Sequence, residues 1–82
     1  MSADEAFLRH ILRGIVLQPE QMRLVRSEDQ RGILFRISLS KSDMPLLIGK
    51  AGHSIKAVRL LMKIYGKDGP AISLLLEEPA AA

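Results

Sequence analysis

Residues 47–59 read Leu47-Ile48-Gly49-Lys50-Ala51-Gly52-His53-Ser54-Ile55-Lys56-Ala57-Val58-Arg59. Three features meet here: an apolar helical stub, two glycines with two residues between them, and the start of a basic amphipathic helix. A bare G-x-x-G is weak, because a chain of this length contains one by chance in roughly a third of cases. Its setting makes it informative. Paired glycines let the backbone turn sharply and approach a sugar-phosphate chain with no Cβ in the way. The helix that follows directs free N–H groups and the positive end of its dipole at the loop. Lys50 adds a full charge at the same place.

Working outward, Ser42 or Asp43 is placed to cap the stub, with Pro45 in its first turn. Downstream, Ile55, Val58, Leu61, Met62 and Tyr65 share one side of a helix from His53 to Tyr65, which Gly66 and Gly69-Pro70 end. Ile72, Leu74 and Leu76 then alternate with Ser73 and Glu77 in a strand. Upstream, Ile33, Phe35, Ile37 and Leu39 put four large apolar groups on one face of another strand. Asp29-Gln30-Arg31-Gly32 supplies a turn back to a shorter strand, Met22–Arg26. Before that, Phe7, Leu8, Ile11, Leu12 and Ile15 recur at helical intervals over Ala3–Ile15, with Ser2 and Glu5 spaced as a capping box. The order is α-β-β-α-α-β, an α+β class. Two helices between the second and third strands allow a parallel crossover, which makes Ile33–Leu39 the centre of a three-stranded mixed sheet with helices on one face. Leu34 and Leu75 then fall on the open face.

The run Leu47–Gly52, followed by Ser54-Ile55-Lys56-Ala57-Val58-Arg59, resembles the core of a KH domain, and the element order resembles that of the type II, bacterial version. Length and motif placement are most similar to small stand-alone bacterial KH proteins of the KhpA type. The resemblance implies one KH domain over residues 1–78 with a flexible tail at 79–82. It implies binding of single-stranded RNA at Ile48, Gly49, Lys50, Ala51, Gly52, His53, Lys56 and Arg59, about four nucleotides at the loop, with aliphatic side chains cradling the bases. A role as RNA chaperone or post-transcriptional regulator alongside a second KH protein is implied as well.

Other chemistries fit poorly. With 82 residues and no cysteine, there is room for one aliphatic core and no thiolate metal site or disulfide. His10 and His53 have no second ligand at metal spacing. Lys50 is followed by Ala51 where a P-loop needs Ser or Thr. Two Phe and one Tyr are too few for the stacking platforms of an RRM or OB fold. No cofactor, small-molecule substrate or catalytic residue is expected. The acidic first residues and the lack of a long apolar run argue against a secretory signal or a membrane span and for a cytoplasmic location.

Charge is unevenly distributed. Net charge is +3, yet Met44–Lys67 holds five basic residues (Lys50, Lys56, Arg59, Lys63 and Lys67) and no carboxylate, leaving seven basic and nine acidic residues elsewhere. At about 100° per residue, Ala57, Leu60 and Ile64 fall in neither the core arc nor the basic arc of their helix. They form a candidate partner surface for a homodimer or for another KH-domain protein. An adaptor that uses the fold mainly for protein interaction is the alternative to RNA binding.

Overall fold

The computed structural model describes residues 2–77; the expected tail at 79–82 lies outside them. The elements are α1 (Ala3–Arg13), β1 (Arg23–Asp29), β2 (Gly32–Ser38), α2 (Met44–Ile48), α3 (His53–Tyr65) and β3 (Ile72–Glu77). Strand order is β1-β2-β3. β1 pairs antiparallel with β2 and β3 parallel with it. This is the arrangement expected of a type II KH fold, with β2 in the middle.

The core lies between the sheet and the helices. Phe35, Ile37 and Leu39 come from β2 and the residue beyond it. Leu8 and Leu12 come from α1, Leu47 from α2, and Val58 and Met62 from α3; all are at most 2% exposed. The sheet's other face is open: Val25 and Leu75 are exposed and Leu34 is half-buried. A side-chain period of two on each strand produces both faces at once.

Several local expectations fail, each for a physical reason. Helix α1 stops at Arg13 because Gly14 caps it, with Gly14 and Ile15 N–H donating to Ile11 and Leu12 carbonyls in tighter turns. Its start is not a capping box. Ser2 Oγ donates to Asp4 Oδ1 at 2.5 Å, the Glu5 N–H donates to the same oxygen at 2.7 Å, and Glu5 turns to Arg9. Strand β1 runs through Ser27-Glu28-Asp29, which read as turn and flank. As a solvent-facing edge strand it needs no apolar alternation there, and the turn shrinks to Gln30-Arg31. Gly32 makes that turn possible: its φ is +126° and a Cβ would lie 2.3 Å from the Ala71 carbonyl oxygen.

On α3 the core arc is narrower than its spacing suggests. Ile55, Val58 and Met62 are buried, whereas Leu61 and Tyr65 are exposed on one flank. Tyr65 stacks on Phe7 of α1, ring centroids 4.8 Å apart, so Phe7 packs at the edge of the core rather than within it.

Candidate nucleic-acid interface

The loop is built by two helix ends. α2 closes with the Gly49 N–H donating to the Pro45 carbonyl at 2.8 Å, and Lys50–Gly52 forms a single 3₁₀ turn closed by the Gly52 N–H on the Gly49 carbonyl at 3.2 Å. Gly49, Ala51 and Gly52 all have positive φ (73°, 54° and 76°). The glycines serve different purposes. At Gly49 a Cβ would lie 2.4 Å from Ser54 Oγ, so the position needs both the dihedral freedom and the space; at Gly52 a Cβ would meet nothing within 4 Å, so only the dihedral matters. Ala51 holds a left-handed conformation at a cost of about 1 kcal/mol.

Gly52 is the N-cap of α3 and supplies no side-chain acceptor. The His53 N–H donates back to the Lys50 carbonyl, and no side chain caps the N–H groups that follow it in the first turn of α3. Lys50, Ala51, His53 and Lys56 are exposed around this end, and Ile48 is 40% exposed beside it. Arg59 lies farther along α3, and its Nη2 donates to the Leu74 carbonyl at 3.5 Å. No ion pair among the described residues uses Lys50, Lys56, Arg59, Lys63 or Lys67.

Beyond the loop, the basic arc overlooks a groove of about 700 Å³ between α3 and β3, lined by Arg59, Lys63 and Lys67 on one side and Ala71 to Leu74 on the other. Strand β3 is an open sheet edge among the described residues. The Ala71 carbonyl faces β2, accepting from the Ile33 N–H at 2.8 Å. Alternation along a parallel ladder then turns the backbone groups of Ile72, Leu74 and Leu76 toward the groove. Sequence reasoning missed this wall. The expected sheet order, with Ile33–Leu39 in the centre, left one side of the Ile72–Leu76 strand unpaired, but no side-chain pattern marks that edge as part of a groove.

The KhpA/KhpB KH-domain model matches residues 5–73. The chain belongs to that family. Relatives called "RNA-binding protein KhpA" include one from Chlamydia pneumoniae, 33% identical over 73 residues that cover 88% of this chain and 94% of the relative. The Bacillus subtilis relative is 38% identical over 55 residues, covering 67% of this chain and 68% of the relative. The Thermotoga maritima relative is 30% identical over 67 residues, covering 82% and 89%. KhpA/KhpB KH domains are an RNA-binding family and not an enzyme family, in keeping with the absence of any catalytic constellation in the sequence. Among the described residues no helix is long and apolar enough to cross a membrane.

Of the two candidate caps Ser42 and Asp43, Asp43 holds the N-cap position of α2 but makes no capping bond with its side chain. It is fully buried, and its carboxylate accepts from the Leu17 and Gln18 N–H groups at 3.0 and 2.8 Å. The Leu17 N–H bond, helped by that of Gln18 and by Ser40, holds its carboxyl below the usual range against the opposing effect of burial. Asp43 thereby ties the α1–β1 connection to the base of the helix that carries the loop.

Proposed function

We propose that this chain binds single-stranded RNA in the cytoplasm, clamping the backbone at Gly49-Lys50-Ala51-Gly52 with Lys56 and Arg59 alongside, Ile48 and His53 bordering the bases. The observation that carries this reading is a helix N-terminus with no side-chain cap, surrounded by cations that have no carboxylate partner among the described residues. Such a site is electrostatically incomplete until an anion arrives. The names of the relatives support the same reading. Lys50→Asp/Ala51→Asp puts two negative charges where a phosphate would sit, at exposed positions, so the fold should survive and RNA binding should be lost. If three phosphates are neutralised, log K falls against log salt with a slope near about −2. Unchanged affinity in a folded variant would refute the assignment.

A second surface supports a partner. Leu60 and Ile64 are each 57% exposed, and with Ala57 they continue into exposed Leu61 and Tyr65. An apolar stripe of this kind on a small chain marks an interaction surface. We read it as the seat of a second KH domain, in a homodimer or a heterodimer, within an RNA chaperone or post-transcriptional regulator. Leu60→Glu/Ile64→Glu should abolish self-association or partner binding in sedimentation while leaving circular dichroism native. Wild-type protein that stays monomeric at high concentration, with no KH partner recovered, would overturn this.

A further inference from the structure

We infer that Asp43 is a positioning residue for RNA binding: its buried carboxylate fixes the orientation of α2 and so holds Gly49-Lys50-Ala51-Gly52 in the form that takes the strand. This role presupposes RNA binding at the loop and names what keeps the loop ready. α2 has five residues, too few to hold a direction by itself. Leu47 is its one fully buried side chain; Met44 is half-buried, and Pro45, Leu46 and Ile48 are exposed. Asp43 and Leu47 stand at i and i+4, on one face, and the Leu47 N–H donates to the Asp43 carbonyl at 3.1 Å. The deepest anchors of the segment are therefore these two side chains, and Gly49 follows directly beyond the second.

The anchors act differently. Apolar burial at Leu47 sets depth but not direction, because the hydrophobic effect is non-directional. Asp43 adds direction: its two oxygens accept separately from the Leu17 and Gln18 N–H groups, at 3.0 and 2.8 Å, across 26 and 25 residues of sequence. The Asp43 N–H is held in turn by the Ser40 carbonyl and hydroxyl, at 3.1 and 3.2 Å. Packing alone would be served by an apolar side chain, which carries no penalty for burying a charge. Asp43 also forgoes the side-chain cap that aspartate at this position ordinarily gives its own helix. What the carboxylate supplies instead is a fixed angle between α2 and the α1–β1 connection. With that angle free, α2 pivots about Leu47 and carries with it the positive-φ residues Gly49, Ala51 and Gly52. The loop is then in binding form for only a fraction of the time, and apparent affinity falls by that fraction.

The test replaces Asp43 by Asn and, as a matched control, Asp4 by Asn. These are the two buried carboxylates among the described residues, and each change removes one negative charge and disturbs the hydrogen bonds around it. Affinity for a four-residue oligouridylate is measured at a temperature where circular dichroism shows all three proteins folded. If Asp43→Asn folds poorly, all are measured in the same concentration of sucrose, which favours the compact state. Charge alone would tighten binding of an anion after either change. Positioning gives the opposite sign at Asp43: affinity should weaken about tenfold, while Asp4→Asn stays within about twofold of wild type. The salt slope should not change, because the phosphates contacted in the final complex are the same. Backbone NMR order parameters of residues 49–52 should fall in free Asp43→Asn and recover when RNA binds. Affinity of folded Asp43→Asn at or above that of wild type overturns the role, as does an equal loss in both variants or a loss with loop order parameters unchanged. Lys50→Asp/Ala51→Asp judges the loop separately. Wild-type affinity there would mean that the site is misplaced, whereas its loss alongside full affinity in Asp43→Asn removes only the role of Asp43.

Discussion

In α1, the sheet and its hairpin turn, Arg9, Arg26, Arg31 and Arg36 each have a carboxylate within 4 Å; from the loop through α3 to Lys67, none of the five basic residues has one among the described residues. The most developed pairing is Arg26 on β1 with Asp4 on α1, three hydrogen bonds of 3.0–3.2 Å to a largely buried carboxylate. There the charges fix one element against another. On α3 the apolar side does the fixing, and the charges are left to an external anion. The comparison separates the residues that should affect stability from those that should affect binding.

The largest effect should come from beneath both regions. Phe35→Ala on the central strand opens a cavity in a fully buried site and should cost about 4 kcal/mol in urea unfolding. In a small domain with about 5–15 kcal/mol in hand, RNA binding and stability then fall together. A loss under about 1 kcal/mol would mean that the core is not centred on β2.

The next prediction probes the paired region alone. Asp4→Asn should lower the melting temperature by about 5 °C with RNA affinity unchanged. Its pH behaviour follows from the direction of its shift. Burial works against the Asp4 charge, but the Arg26 hydrogen bonds, the Ser2 hydroxyl and the Glu5 N–H outweigh it and hold the carboxyl below its ordinary value near 3.8. A depressed acid contributes stability that is complete above the unfolded value and lost as pH falls through the folded one. Acid unfolding should therefore begin below about pH 4, and the acid limb should be shallower in Asp4→Asn. An identical acid limb in both proteins would show that the pair contributes nothing.

The smallest effect sharpens the other side. Lys56→Ala should weaken RNA binding a few-fold, reduce the salt slope by about 0.7, and leave the melting temperature alone. Lys41→Ala, an exposed lysine outside the basic arc, should change neither. Equal losses from both would reduce the basic arc to a diffuse positive field.

How much of this was legible in the sequence depends on whether a pattern repeats. The alternation in Ile33–Leu39 and the 3.6-residue period of His53–Tyr65 express burial directly, and both elements lie where the spacing put them. The GKAG loop was readable because Gly49 and Gly52 bracket it at positions of positive φ, which glycine adopts most readily. Polar residues carry no such period. Ser27-Glu28-Asp29 forms strand only because β2 supplies a partner, and Asp43 looks like any N-cap until Leu17 and Gln18 fold against it. Leu60 and Ile64 were conspicuous as apolar residues outside the core arc. Leu61 and Tyr65 were not, because their angular position borders that arc and only the actual width of the contact excludes them. The β3 wall of the groove was invisible as chemistry, since its groups belong to the backbone and every residue has them.

The parallel pairing of β2 with β3 has a consequence in time. Residues 29 and 32 face each other across a two-residue turn, whereas residue 33 must find residue 72 across both intervening helices. Local pairing forms readily and distant pairing waits on loop closure, so the hairpin should gather first and β3 should dock late. Pulse-labelled hydrogen exchange during refolding should find the β1–β2 amides protected ahead of those of β3. On the ribosome the same order is enforced by synthesis, because residues 72–77 emerge after everything they pair with. A nascent chain would present its basic helix while the second wall of the groove is still unmade, so the groove between α3 and β3 is complete only once β3 has been translated and docked.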